Sequence, residues 1–161
     1  MDKNALLEAL RQRVKADGVA LERRQRDAQA GAVHEENRSE HAKDTRATED
    51  SYLARGLAER VEDLRRLAER LDTLSMRRFE REDAIAPTAL VELLFEEESL
   101  TEWWLIMPGA GGFELESGTG RIRTVTPAAP LGQALAGLRV GDEGEVRTPR
   151  GVRTFEVLSV A

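Results

Sequence analysis

A chain of 161 residues with a formal net charge of -6 fits one ordinary domain or two small ones, and with 34% charged and 4% aromatic residues it is too polar for a single large core. It has no cysteine, which excludes disulfides, thiolate metal sites and cysteine nucleophiles. Residues 87–161 hold eleven acids against six bases, an imbalance that argues against duplex DNA as a partner, because phosphate neutralisation needs clustered Lys and Arg.

From Lys3 onward, Leu7, Leu10, Val14, Leu21 and Ala28 fall near heptad spacing among Glu, Arg, Gln and Lys. Gly18 interrupts this pattern at a cost of about 1 kcal/mol relative to Ala, too little to end a long helix. The pattern fades after Ala28. The stretch from His34 to Glu49 is dense in charge and almost empty of large apolar residues. Beyond it, Leu53, Leu57, Val61, Leu64, Leu67, Leu71 and Leu74 step by three or four residues. Asp44 and Thr45 are suitable N-caps, so a second helix is expected from there to about Arg81. Two such seams joined by a polar link should pack antiparallel and leave the charged stretch at their tip.

Ile85-Ala86-Pro87 marks the change to strand-like sequence and a domain boundary. Strands are expected at Ala89–Phe95, Glu102–Met107, Arg121–Val125, Glu143–Thr148 and Val152–Val160. Pro130–Leu135 reads as a short helix, and Pro149-Arg150-Gly151 as a tight hairpin turn. Trp103 and Trp104 should alternate faces, one in the core and one partly exposed. The glycines of Gly109–Gly112 lie too far from any helix start to form a phosphate loop. The start, Met-Asp-Lys-Asn, leads to no apolar signal run, and no stretch is apolar enough to span a bilayer, so a cytoplasmic protein with no membrane association is expected.

Val125-Thr126-Pro127-Ala128-Ala129-Pro130-Leu131-Gly132-Gln133-Ala134-Leu135-Ala136-Gly137-Leu138-Arg139-Val140-Gly141-Asp142 resembles the signature of the Gre factors, the bacterial transcript-cleavage and elongation factors. Thr148-Pro149-Arg150-Gly151 and Phe155-Glu156-Val157-Leu158 resemble their closing hairpin. The resemblance covers essentially the whole chain. It implies an α+β protein: an N-terminal antiparallel coiled-coil hairpin over 1–84 with an acidic tip near 34–49, then a small FKBP-like antiparallel β-sheet domain with a short helix over 85–161.

The resemblance further implies a factor with no complete active site of its own. Its second domain would dock on bacterial RNA polymerase at the rim of the secondary channel through Thr126, Pro127, Ala129, Pro130 and Leu131. Its tip would help hold a Mg²⁺ ion shared with the polymerase active site, and no tightly bound cofactor is expected. Hard oxygen ligands suit that ion, so one or two added carboxylates suffice.

At the tip the sequence departs from the family pattern G-D-L-x-E-N: Gly31-Ala32-Val33-His34-Glu35-Glu36-Asn37 has no aspartate after the glycine. Counting back from Arg60-Val61 places the tip near Glu40 and Asp44, which at i,i+4 would share one face of a helix. Glu40 and Asp44 are therefore the favoured catalytic and metal-holding pair, with Glu36 in reserve. Arg38, Lys43 and Arg46 would face the nascent RNA 3′ end or polymerase acids, or else pair with neighbouring acids. His34 and His41 lie close by in sequence, where a transition-metal site is conceivable, but loop histidines are usually solvated and solvation is the favoured reading. The family carries a serine where Ala129 stands, which removes a docking hydrogen bond. Three readings stay open: a cleavage-stimulating factor, a secondary-channel modulator without cleavage, and a peptidyl-prolyl isomerase, for which 4% aromatics leave little to build a pocket.

Overall fold

The computed structural model of the chain describes residues 2–36, 43–96, 99–118 and 120–161, the side chains of 31–36 and 43–51 excepted. Its elements are α1 (Lys3–Glu36), α2 (Lys43–Thr73), β1 (Leu90–Phe95), β2 (Leu100–Ile106), β3 (Glu114–Ser117), β4 (Gly120–Val125), α3 (Pro130–Leu135), β5 (Glu143–Thr148) and β6 (Gly151–Val160). They form two compact units, Arg11–Leu74 and Met1–Leu10 with Ser75–Ala161.

In the unit Arg11–Leu74 the two helices run antiparallel. The Arg11 guanidinium donates to the Leu71 carbonyl at 2.8 and 3.0 Å, Lys15 meets Asp72 at 3.3 Å, and Glu22 meets Arg65 at 2.7 Å. From Lys15 to Glu22 along α1 the partner falls back from Asp72 to Arg65 along α2. Val14, Val61, Leu67 and Leu71 are buried, and Leu21, Leu57 and Leu64 half-buried. Leu53, expected in this seam, is 55% exposed. It stands one heptad before Arg60, whereas half-buried Ala54 stands one heptad before Val61 and takes the inward position.

Near the tip, helix α1 does not fade after Ala28 but continues through Glu36, while α2 is helical from Lys43, close to the expected start at Asp44 and Thr45. At its other end α2 stops at Thr73, not Arg81. The apolar stripe gives the reason: the next inward positions after Leu74 are Arg77 and Arg78, while Phe79 is buried and joins the core of the other unit. Burying that ring outweighs continuing an exposed helix, because a buried Phe side chain contributes about 1.5–3 kcal/mol.

The unit Met1–Leu10 with Ser75–Ala161 is built on a six-stranded sheet of order β3-β4-β2-β1-β6-β5. Four of its pairs are antiparallel, but β2 and β4 run parallel, with Trp103 opposite Ile122 and Ile106 opposite Val125. The sheet is therefore mixed rather than purely antiparallel. The parallel pairing needs a crossover, and β3, absent from the sequence reading, lies within it. Val91, Leu93, Phe95, Ile106, Val125, Phe155 and Val157 share a core with Leu131 and Leu135 of α3. Phe95 and Phe155 meet edge to face with centroids 5.9 Å apart.

A polar-aromatic cluster extends that face. Glu102, its side chain only 11% exposed, meets Arg123 and Arg153 at 3.2 Å each and accepts the Trp104 indole N–H at 3.0 Å. Neither tryptophan is fully buried: Trp104 packs against the core and Trp103, on the opposite face, is half-buried.

Candidate functional site

The segment Thr126–Leu131 leaves the end of β4 and enters α3. The Ala129 N–H donates to the Thr126 carbonyl at 3.1 Å, closing a turn, and the Gln133 N–H donates to the Ala129 carbonyl at 2.9 Å, opening the helix. Ala129 is the N-cap, with extended backbone and no side-chain cap, and Pro130 takes the first helical position, where a missing N–H costs nothing. The Gln133 side chain reaches back to the Ala128 carbonyl at 3.0 Å.

Exposure sorts the sequence-proposed docking residues. Pro130 is exposed, as is Ala128 beside it, while Thr126, Pro127 and Ala129 are half-buried. Leu131 is 8% exposed and belongs to the core. Its side chain therefore holds α3 in place rather than presenting a surface.

Two glycines that the sequence reading gave no role shape this segment. A Cβ on Gly132 would collide with the Thr126 carbonyl, and one on Gly111 would sit 2.9 Å from the Thr126 methyl. The turn is thus held between α3 and the loop after β2. The signal for Gly132 was its place directly after Pro130-Leu131, where only a residue without a side chain lets the helix lie against the turn.

The rest of the signature is structural. Gly137, with φ of 85°, leaves α3 and donates to the Ile85 carbonyl at 3.0 Å, and Ile85 donates to the Leu138 carbonyl at 2.8 Å. The Asp142 carboxylate accepts the Arg139 N–H at 2.8 Å, its carbonyl accepts the Val157 N–H at 2.9 Å, and the Gly141 N–H donates to the Val157 carbonyl at 2.8 Å. Thr148 and Gly151 close the β5–β6 turn around Pro149 and Arg150, with the Thr148 hydroxyl accepting the Arg150 N–H at 3.2 Å.

At the other candidate site, Glu36 is the last residue of α1 and Lys43, Asp44 and Arg46 lie in the first turn of α2. Glu40, Arg38 and His41 lie outside the described residues, as do the side chains of His34, Glu36, Lys43, Asp44 and Arg46. Among the described residues no group of three or more His, Asp or Glu side chains is placed to hold a metal ion, and no helix is long and apolar enough to cross a membrane.

An antiparallel helical pair followed by a six-stranded sheet carrying a proline-started helix defines the class of this protein: a helical hairpin joined to an α+β domain. Residues 80–161 match the family model described as transcription elongation factor, GreA/GreB, C-term. Transcription elongation factor GreA of Rhodospirillum rubrum is 32% identical over 123 residues, covering 76% of this chain and 71% of that one. The GreA of Syntrophobacter fumaroxidans is 30% identical over 149 residues, covering 88% and 89%. Among solved structures, the GreA factor homolog 1 (Gfh1) protein of Thermus thermophilus aligns over 95% of each chain at a TM-score of 0.41 and 20% identity. The chain belongs to the GreA/GreB family of transcription elongation factors.

Proposed function

We propose that the protein is an accessory factor of bacterial RNA polymerase that stimulates cleavage of the nascent RNA in backtracked complexes. The family match across 80–161, which contains the whole signature from Thr126 to Asp142, carries this reading. The exposed Pro130 and the turn at Thr126–Ala129 serve as the docking surface at the rim of the secondary channel. The helical pair enters the channel and brings Glu40 and Asp44, with Glu36 beside them, to the polymerase active site.

Those carboxylates are hard oxygen donors and suit Mg²⁺, which binds through few protein ligands and keeps several waters. The ion, when bound, supplies activation of the attacking water. The chain's own acids bind and orient, and Arg38, Lys43 and Arg46 meet the RNA 3′ end or polymerase acids. RNA is contacted only inside the polymerase complex, and duplex DNA is not bound independently.

One observation favours a second reading. The tip has no aspartate after Gly31, which fits a channel-occupying modulator that slows polymerase without cleavage. Stalled elongation complexes from the same organism separate the two. On the first reading the full-length protein shortens the RNA, and joint Glu40→Ala and Asp44→Ala substitution abolishes this while polymerase binding persists. Slowed synthesis with no cleavage by the parent protein establishes the modulator instead.

A further inference from the structure

A row of residues crosses four strands on one face of the sheet: Ile122 on β4, Trp103 on β2, Glu92 on β1 and Ser159 on β6. Ile122 is buried, and the other three are half-buried. The parallel pairing of β2 and β4 begins at Trp103 and Ile122. Ahead of that pair opens a hollow of about 620 Å³ lined by Glu92, Leu100, Thr101, Trp103, Arg121 and Arg123, among others. It adjoins the N-terminal end of β4, whereas Thr126–Leu131 follows the C-terminal end, so the two surfaces are distinct.

Among the described residues the charges around the hollow do not cancel. Arg121 lies 3.7 Å from Glu114 and 3.8 Å from Glu116; Arg123 lies 3.2 Å from Glu102 and 3.5 Å from Glu114; Arg153 lies 3.2 Å from Glu102. These three arginines are matched by three glutamates. Glu92 stands outside the account: its Oε2 accepts the Ser159 hydroxyl at 3.2 Å, and among the described residues no cation reaches it. A carboxylate without a cation therefore stands directly across the strand pair from the indole of Trp103. Leu100 also borders the hollow, but it stands across from core Phe95 and so on the opposite face of β2 from Trp103.

We propose that this hollow is a second protein-docking surface, which receives an arginine side chain of a partner polypeptide. The guanidinium stacks on Trp103 and pairs with Glu92. An aromatic face beside a carboxylate suits a planar cation. A phosphate-bearing or acidic partner finds its nearest cations, Arg121 and Arg123, already on carboxylates, and meets repulsion from Glu92.

The test uses the full-length protein and the probe acetyl-Gly-Leu-Arg-Leu-Arg-Gly-amide, followed through the two indole N–H signals by NMR. The Trp103 signal should shift saturably with millimolar-range affinity, while that of Trp104, held by Glu102, stays in place. Glu92→Gln keeps the size of the side chain and should weaken binding about 5- to 10-fold, because a charge-assisted bond is lost. Three results overturn the proposal: an unmoved Trp103 signal, an equal response to the counterpart peptide with Glu in place of Arg, or undiminished binding by the folded Glu92→Gln protein.

Discussion

The carbonyl oxygen of Thr126 occupies the space that a side chain on Gly132 would need. Alanine normally gains about 1 kcal/mol over glycine inside a helix. Here the sign should reverse, since backbone sits where the methyl would go. Gly132→Ala should cost about 2–4 kcal/mol in urea unfolding. Gly111→Ala should cost less, because its methyl would meet the Thr126 side chain first.

Gly18 and Gly56 are the opposite case. Both lie inside long helices, and nothing stands within 4 Å of an added Cβ. Each change to alanine should add about 0.5–1 kcal/mol of stability. Circular dichroism melts of the single and double variants check this, and the two gains should add.

Ala129 caps α3 without a side-chain hydrogen bond. Ala129→Ser supplies an acceptor for the free N–H groups of the first turn and should stabilise the protein by about 0.5–2 kcal/mol. On the proposed docking mode the same change should also tighten polymerase binding. A stability gain without that tightening would separate the cap from the contact.

Lys3 donates to the carbonyls of Arg77 and Thr88 and lies 4.7 Å from the Phe79 ring centre. Burial, then the neighbouring Arg77 charge, holds its pKa below the ordinary lysine value of 10.5. Between that lowered value and 10.5 the unfolded chain binds more protons than the native one, so stability contributed by Lys3 rises with pH across this window. The stability of the parent relative to Lys3→Met should therefore increase from neutral toward alkaline pH. A flat difference would show that the charged form carries no penalty.

Glu102 holds two arginines and an indole N–H while almost buried. Glu102→Gln keeps the shape but leaves Arg123 and Arg153 short of a counter-charge. A loss of about 1–3 kcal/mol is expected in thermal or urea unfolding. The indole signal of Trp104 should move in the same variant while that of Trp103 changes little.

The sequence by itself determined whatever is written within a few neighbouring residues. The heptad steps from Val61 to Leu71 identify a helix that needs a partner, and Pro130 and Gly137 bound α3. Pro149-Arg150 turns β5 into β6, and the signature around Thr126–Asp142 identifies the family. Even β3 carries a local signal, the alternation Glu114-Leu115-Glu116 ahead of Gly118 and Gly120.

Tertiary structure alone decided the features that depend on distant partners. Helix α2 ends at Thr73 because Phe79 is drawn into a core formed by strands that follow it. The parallel pairing of β2 with β4 is a choice among strand edges, which share the same backbone donors and acceptors. Leu131 reads as one more residue of an exposed motif until packing places it inside, and Leu53 reads as seam until the heptad phase turns it outward. Glu92 and Trp103 are separated in sequence and meet only because β1 and β2 pair in this register. Periodicity tells a segment that one of its faces must be covered, but which distant residues cover it is settled by the packing of all segments together.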